Sequence, residues 1–239
     1  MYTLITGATS DIGRSISNTL ASQGYKLLVT DLDSDRLSEL CDALPGDGHR
    51  YLAMDLSNVI VAKEQFVDFL KTEQIAVSNA VFAAGIFAVR PLKMIDYNFC
   101  KLNFDIALFS VIQLMQVLTS KRINGDNLSS VVLLSSISAK RGTKGYSLYS
   151  AVKSAMLGLV HSWAAEFAPR VKVNAILPGG IRTRTTEFLY VANPEIDSRY
   201  LLGEGKATDV ADAISFLLSD KSRWITGQEF VVDGGWSIN

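Results

Sequence analysis

Short, continuous apolar runs alternate along this chain with longer segments of helical period, and that alternation limits the folds open to it. Tyr2–Thr6, Tyr25–Thr30, Tyr51–Met54, Ala80–Phe82, Val131–Leu134, Val171–Ile176 and Phe230–Val232 read as strands. Val131-Val132-Leu133-Leu134 shows no polar alternation, which suits a strand buried on both faces. Helical spacing runs from Gly13 to near Gly24, through Leu37, Leu40, Cys41 and Leu44, and through Phe66, Phe69 and Leu70. It returns over 97–118, from Tyr149 onward, and through Val210, Ile214, Leu217 and Leu218. Such alternation argues for an α/β protein with a doubly wound parallel sheet, helices on both faces and right-handed crossovers. No repeat, linker or low-complexity stretch divides residues 1–239, so one domain is expected.

Sheets of this kind bind ligands beyond the carboxyl ends of their strands. Gly7, Asp31, Asp55, Gly85, Ser136 and Pro178 each follow a strand, which brings them to one edge. The turn from Gly7 to Gly13 leads a strand into a helix. Backbone N–H groups and the positive helix end then face an anion, and glycine lets a pyrophosphate approach closely. Asp11 puts a carboxylate in that turn, and it is expected to point away and cap the helix. Asp31 stands about twenty residues further on, where an acidic side chain holds ribose hydroxyls. Arg36 is the nearest cation along the chain and should lie within the next helix. Ser34, then Ser57 or Asn58, then Thr208 or Asp209 are expected to cap later helices, and His49 is expected to be solvated.

Tyr149 and Lys153 are four residues apart and share one face of their helix. An ammonium beside a phenol favours the phenolate, drawing an ionisation ordinarily near pKa ~10 toward the range of a working proton donor. A hydroxyl from Ser136 or Ser135, at the end of the adjacent strand, can hold a carbonyl against that phenol.

Thr6-Gly7-Ala8-Thr9-Ser10-Asp11-Ile12-Gly13, followed in order by Ser136, Tyr149 and Lys153, resembles the short-chain dehydrogenase/reductase family over essentially the whole chain. Within that family the resemblance is to members like the 3-oxoacyl-acyl-carrier-protein reductases. It implies a single Rossmann-type sheet and hydride transfer between a nicotinamide cofactor and a carbonyl or secondary alcohol. It also implies a catalytic set of Asn103, Ser136, Tyr149 and Lys153, with Asn103 in a proton relay from Lys153 to solvent and Ser136 preferred over Ser135 by its spacing to the tyrosine. Gly7, Thr9, Ser10, Asp11, Ile12 and Gly13 would line the pyrophosphate side, and Asp55 with Leu56 the adenine. Ala84 and Gly85 would lie along a ribose, Pro178, Gly179, Ile181 and Thr183 near the carboxamide and pyrophosphate, and Tyr149 and Lys153 beside the nicotinamide ribose. The chain departs from the family pattern at Asp11, where a glycine is usual, and at Ala83, where an amide is usual. The family's NADP-using members commonly carry a basic residue after the aspartate or in the turn. Here those places hold Leu32 and Ser10, so NAD(H) is expected ahead of NADP(H).

Composition narrows the partners. With 23 basic and 24 acidic residues the net charge is −1, which provides no field for nucleic acid or an anionic membrane. Cys41 and Cys100 have no metal-ligand spacing, no signal peptide is expected before the first strand, and no apolar run suggests a membrane span. A cytoplasmic protein is therefore expected. Residues 184–205, which include Pro194, show no clean period and read as a substrate-lid loop. Arg90, Lys140, Arg141, Lys144, Arg182 and Arg184 are expected around its entrance, predicting a small-molecule substrate that is anionic or carrier-linked. The resemblance implies a homo-oligomer, a tetramer or dimer, built through helices 97–118 and 149–167, with His161 and Trp163 on that face. Two rival classes are an idle dinucleotide- or partner-binding module, to which the departures give weight and against which the intact Ser136, Tyr149, Lys153 and Asn103 set argues, and a sugar-nucleotide epimerase or dehydratase. The short tail after Gly205 counts against the second.

Overall fold

Alternate residues of a strand face opposite sides of its sheet, and here both sets are apolar. The computed structural model describes residues 1–87, 89–192 and 195–238. Among these, β1 (Tyr2–Thr6), β2 (Leu27–Asp31), β3 (Arg50–Ala53), β4 (Val77–Phe82), β5 (Ser130–Leu134), β6 (Lys172–Pro178) and β7 (Glu229–Val232) form one sheet in the order β3-β2-β1-β4-β5-β6-β7. Every neighbouring pair is parallel. The winding reverses between β1 and β4, and loops leaving the strands part there to open a crevice.

The described helices are α1 (Asp11–Ser22), α2 (Ser34–Ala43), α3 (Val59–Thr72), α4 (Tyr97–Phe104), α5 (Ser110–Leu118), α6 (Lys121–Asn124), α7 (Ser147–Phe167), α8 (Glu187–Ala192) and α9 (Ala207–Leu218). On one face Leu4, Phe82, Val131 and Leu133 meet Phe66 of α3, Leu114 of α5 and Met156 of α7. On the other, Ile5, Val29, Val81 and Val132 meet Ile16 and Leu20 of α1, Leu37 of α2 and Ile214 of α9. Leu4 and Ile5 are adjacent, fully buried, and feed different cores. Each such side chain contributes about 1.5–3 kcal/mol on burial, so a polar residue on either face would be costly.

The span 97–118 is helical throughout but passes through a π-helical turn at Asp105–Phe109. By length and composition alone it could cross a membrane, whereas the sequence reading expects no such span. Half of its most apolar window is buried inside the protein, where it packs on α3 and α7 as a core helix. Trp163 is likewise buried in the core beside Phe167 instead of lying on an outer face.

Other local expectations need correction. Asp33, not Ser34, caps α2, because its carboxylate reaches the N–H groups of Asp35 (3.0 Å) and Arg36 (3.1 Å). No side chain caps α3 at Asn58, and Asp209 receives the Lys206 N–H at 2.7 Å ahead of α9. His49 is engaged, not solvated: Nδ1 accepts from the Leu27 N–H (3.2 Å), which leaves the proton on Nε2 to donate to Pro45 O (2.9 Å). The stretch 184–205 carries α8 and a 3₁₀ turn at Ile196–Arg199, so it is partly helical; Pro194 lies outside the described residues.

Candidate active site

Two glycines give the β1–α1 turn its shape. Gly7 has φ +69°, and a Cβ there would lie 2.8 Å from Ala84 Cα; a Cβ on Gly13 would lie 2.2 Å from Gly7 O. Ser10 caps α1, accepting the Gly13 N–H at 3.0 Å and donating to Gly7 O at 2.8 Å. The first turn of α1 leaves the N–H groups of Asp11 and Ile12 without an intrahelical acceptor, so this end is suited to a phosphate. Asp11 does not cap the helix as expected. Its carboxylate turns to Arg184, accepting from Nε (2.8 Å) and the backbone N–H (2.7 Å). Where the family's amide is missing, Thr6 Oγ1 accepts the N–H groups of Ala83 and Ala84, each at 3.2 Å, and ties β4 to β1.

At the end of β2, Asp31 is oriented by Thr9 and Leu32. Oδ2 accepts from Thr9 N–H (2.9 Å) and Thr9 Oγ1 (2.7 Å), and Oδ1 from Leu32 N–H (2.8 Å). Arg36 folds back to this turn, donating from Nη2 to Thr9 O at 2.9 Å. Arg14 Nε reaches the same oxygen at 3.2 Å. Sequence spacing gave no signal for this, since Arg36 and Thr9 are 27 residues apart.

Beside the turn, at the carboxyl ends of the strands, opens a cavity of about 320 Å³. Ser136, Tyr149 and Lys153 share its wall with Ser10, Asp11, Ile12, Gly85, Pro178, Gly179, Ile181 and Thr183. Gly7, Thr9, Gly13, Asp31 and Ala84 stand behind or beside that wall, and the turn joins them to it. Asp55 is exposed, its Oδ1 held by Ser57, and it lies with Asn58 and Lys101 on a separate depression. Leu56 packs into the core. Asn103 is buried just before the π-helical turn, where its amide donates to Phe99 O at 2.8 Å.

The two adjacent serines are sorted by their partners. Ser135 Oγ is buried and donates to Lys153 O at 2.8 Å, tying β5 to α7. Ser136 Oγ accepts the Ser138 N–H at 3.2 Å and sits beside the Tyr149 phenol. Lys153 is buried, with Nζ donating to Leu134 O at 2.6 Å and 5.8 Å from the Tyr149 ring centre. Burial lowers the Lys153 pKa to about 8. Burial pushes the Tyr149 phenol up to about 12, against the opposing pull of the Ser136 hydrogen bond. This corrects the expectation that the ammonium depresses the phenol: Nζ is turned to a carbonyl, and desolvation of the phenolate wins.

Aromatic side chains absent from the sequence reading close the cavity. Phe87 meets Tyr149 (5.3 Å) and Tyr146 (5.7 Å) edge to face, and Tyr200 packs on Trp236 at 6.1 Å. Tyr200 Oη accepts the Gly180 N–H at 3.0 Å, and Ile181 bridges to Gly205. None of the six cations expected at the entrance lines the cavity, where Arg199 and Lys153 stand among the described residues; several of the six are committed within the chain. Arg90 stacks on Phe99, Arg141 on Trp236, Lys140 pairs with Glu229 and Arg182 with Glu187.

Comparison with known proteins matches residues 7–237 to a family model described as enoyl-(acyl carrier protein) reductase. The 3-oxoacyl-[acyl-carrier-protein] reductase FabG of Thermotoga maritima is 33% identical over 98% of this chain and 97% of its own length. The chain belongs to the short-chain dehydrogenase/reductase family. Oxidoreductase UcpA of Escherichia coli is 32% identical, over 98% of this chain and 94% of that protein. Among solved structures, a 4-hydroxyisoleucine dehydrogenase complexed with NADH superposes with a TM-score of 0.90 and 27% identity, each chain fully covered. A glucose/ribitol-type member from Brucella melitensis gives 0.87 and 28%, over 98% of this chain and 96% of that one. The protein is thus a nicotinamide-dependent oxidoreductase, and the tight glycine turn with the free N–H groups at the start of α1 fits the phosphates of such a dinucleotide.

Proposed function

We propose that this protein reduces a largely apolar carbonyl compound to a secondary alcohol, with NAD(H) preferred. The observation that carries the reading is the placement of Tyr149: its phenol stands beside Ser136 on the cavity wall, and burial keeps it protonated so that it can donate to a carbonyl oxygen. The nicotinamide supplies the hydride when bound. Tyr149 gives its proton to the carbonyl oxygen, while Ser136 donates a hydrogen bond to that oxygen as negative charge develops. Lys153 holds α7 against β5 and places a cation beneath the phenol. Asn103 is assigned to the proton relay on resemblance, and its hydrogen bond to Phe99 O fixes the helix just ahead of the π-helical turn.

Gly7, Thr9, Ser10, Asp11, Ile12 and Gly13 are proposed to hold the pyrophosphate, and Asp31 the ribose hydroxyls. Asp55 and Leu56 are assigned to adenine, Ala84 and Gly85 to the ribose, and Pro178, Gly179, Ile181 and Thr183 to the carboxamide side. Like charges at about 4 Å repel by roughly 4 kcal/mol at an effective dielectric near 20, so Asp31 disfavours a 2′-phosphate. Arg36 and Arg14, both on Thr9 O, offset part of that repulsion and favour a second reading in which NADP(H) is also accepted. The preference is therefore modest.

Phe87, Tyr146 and Trp236 on the walls support a largely apolar substrate, beside Arg199 on the same wall. A carrier-linked acyl group draws its support from the named activity of the FabG relative. Residues 184–205 are proposed as the lid of a single catalytic domain. Exposed Tyr97 and Phe109 support a homo-oligomer through helix 97–118, and two free cysteines support a reducing, cytoplasmic setting. A panel of aryl and alkyl ketones, β-ketoacid esters and acyl-carrier thioesters, followed by loss of NADH or NADPH absorbance, tests the reading. Turnover of apolar ketones supports it, and binding of NADH with no turnover across the panel refutes it.

A further inference from the structure

Asp11 stands where the resembling family keeps a glycine, and its carboxylate makes two hydrogen bonds to one residue 173 positions away. Arg184 Nε and the Arg184 backbone N–H grip the two carboxylate oxygens separately, so both side chain and main chain of Arg184 are fixed. Arg184 Nη2 also reaches Thr9 O at 3.4 Å, the oxygen already shared by Arg14 and Arg36. Arg184 is the first residue of the stretch read as the lid. Next to it, Thr183 and Thr186 exchange hydrogen bonds that start the turn into α8. The pair therefore joins the base of the lid to the N-terminal turn of α1.

We propose that Asp11 and Arg184 form a clasp that couples seating of the dinucleotide to the hold on the start of the lid, residues 184–192. Asp11 and Arg184 act as positioning residues. The inference rests on the proposed dinucleotide and lid roles and adds two residues whose charges belong together. Without Arg184, the Asp11 carboxylate is an uncompensated negative charge beside the phosphate site, at the end of α1 where the helix dipole would otherwise attract an anion. With Arg184 in place that charge is neutralised, and the lid's first residue is held against the same turn. The ligand's phosphates and the lid thus share one neutral anchor. A plain structural ion pair predicts only loss of stability when either partner goes. The clasp predicts that removing both charges undoes part of the binding defect caused by removing one.

The test is a double-mutant cycle read by NADH fluorescence titration and by hydrogen exchange of the 184–192 amides. Asp11 is 28% and Arg184 66% exposed at the side chain, so the coupling belongs at the low end of its usual range. Arg184→Ala is expected to weaken NADH binding about fivefold and to speed exchange in the lid. Adding Asp11→Gly is expected to restore NADH affinity in part, by removing the repulsion, but not lid protection. The exchanged pair, Asp11→Arg with Arg184→Asp, is expected to restore protection in the absence of dinucleotide, and keeps the test open if a single variant folds poorly. Unchanged NADH affinity in Arg184→Ala, or a double variant no tighter than Arg184→Ala alone, would overturn the proposal. If the unmodified protein bound no nicotinamide dinucleotide, the functional reading would fail and the coupling with it; lid exchange in the exchanged pair would then decide only whether the pair holds the lid.

Discussion

Lys153 Nζ donates to Leu134 O at 2.6 Å, so the helix bearing Tyr149 is tied to the end of the strand that leads into Ser136. The same bond keeps a buried cation within reach of the phenol at the expense of its hydration, and the Lys153 pKa falls to about 8.

That shift has opposite consequences for stability and rate. The folded-state pKa is depressed below the unfolded value near ~10.4, so between pH ~8 and ~10.4 the unfolded chain binds more protons. Stability from this group therefore rises with pH across that window, by a total on the order of 3 kcal/mol. The ammonium that assists Tyr149 is meanwhile lost. Denaturant melts of wild type and Lys153→Met from about pH 7 to 9.5 should show wild type gaining relative to the variant. Reductive kcat/KM should fall over the same range. Parallel stability profiles would contradict the account.

Ser135 and Ser136 should separate cleanly. Ser135→Ala removes the buried bond to Lys153 O and should cost about 1–3 kcal/mol in unfolding free energy. Ser136→Ala should cost less stability, about 1 kcal/mol through its cap on the Ser138 N–H, while lowering kcat about 10²–10³-fold, as loss of an oxyanion donor does. Thermal melts beside steady-state kinetics check both, and an inverted pattern would exchange their roles.

Cofactor choice should respond to the two side chains that compete at Thr9. Asp31→Ala should narrow or reverse the preference for NADH over NADPH. Arg36→Ala should widen it, because the cation that offsets Asp31 is removed. Ratios of kcat/KM for the two cofactors on one ketone measure each effect, and a tenfold change corresponds to about 1.4 kcal/mol. An Arg36→Ala variant that accepts NADPH more readily would show that the repulsion argument is mistaken.

What the sequence discloses is what neighbours in sequence decide. The continuous apolar runs mark strands buried on both faces, and Leu4 and Ile5 do enter separate cores. Tyr149 and Lys153 are readable because a helix repeats every 3.6 residues; Ser136 is preferred over Ser135 only by the resemblance, since both follow the same strand. Arg36 on Thr9 O and Arg184 on Asp11 are not readable, since folding brings those partners together across 27 and 173 positions. Nor does spacing report desolvation: four residues placed the lysine beside the phenol, but burial set the direction of both pKa shifts. The π-helical turn after Asn103 and the cap at Asp33 have no pattern distinct from their alternatives.

The central claim is that the Tyr149 phenol is the proton donor. Tyr149→Phe keeps the ring that meets Phe87 and removes only the hydroxyl. NADH titration and ketone turnover on this variant measure the claim most directly. Unchanged NADH affinity with turnover reduced about 10²–10⁴-fold is the expected result, and turnover near that of wild type would contradict it.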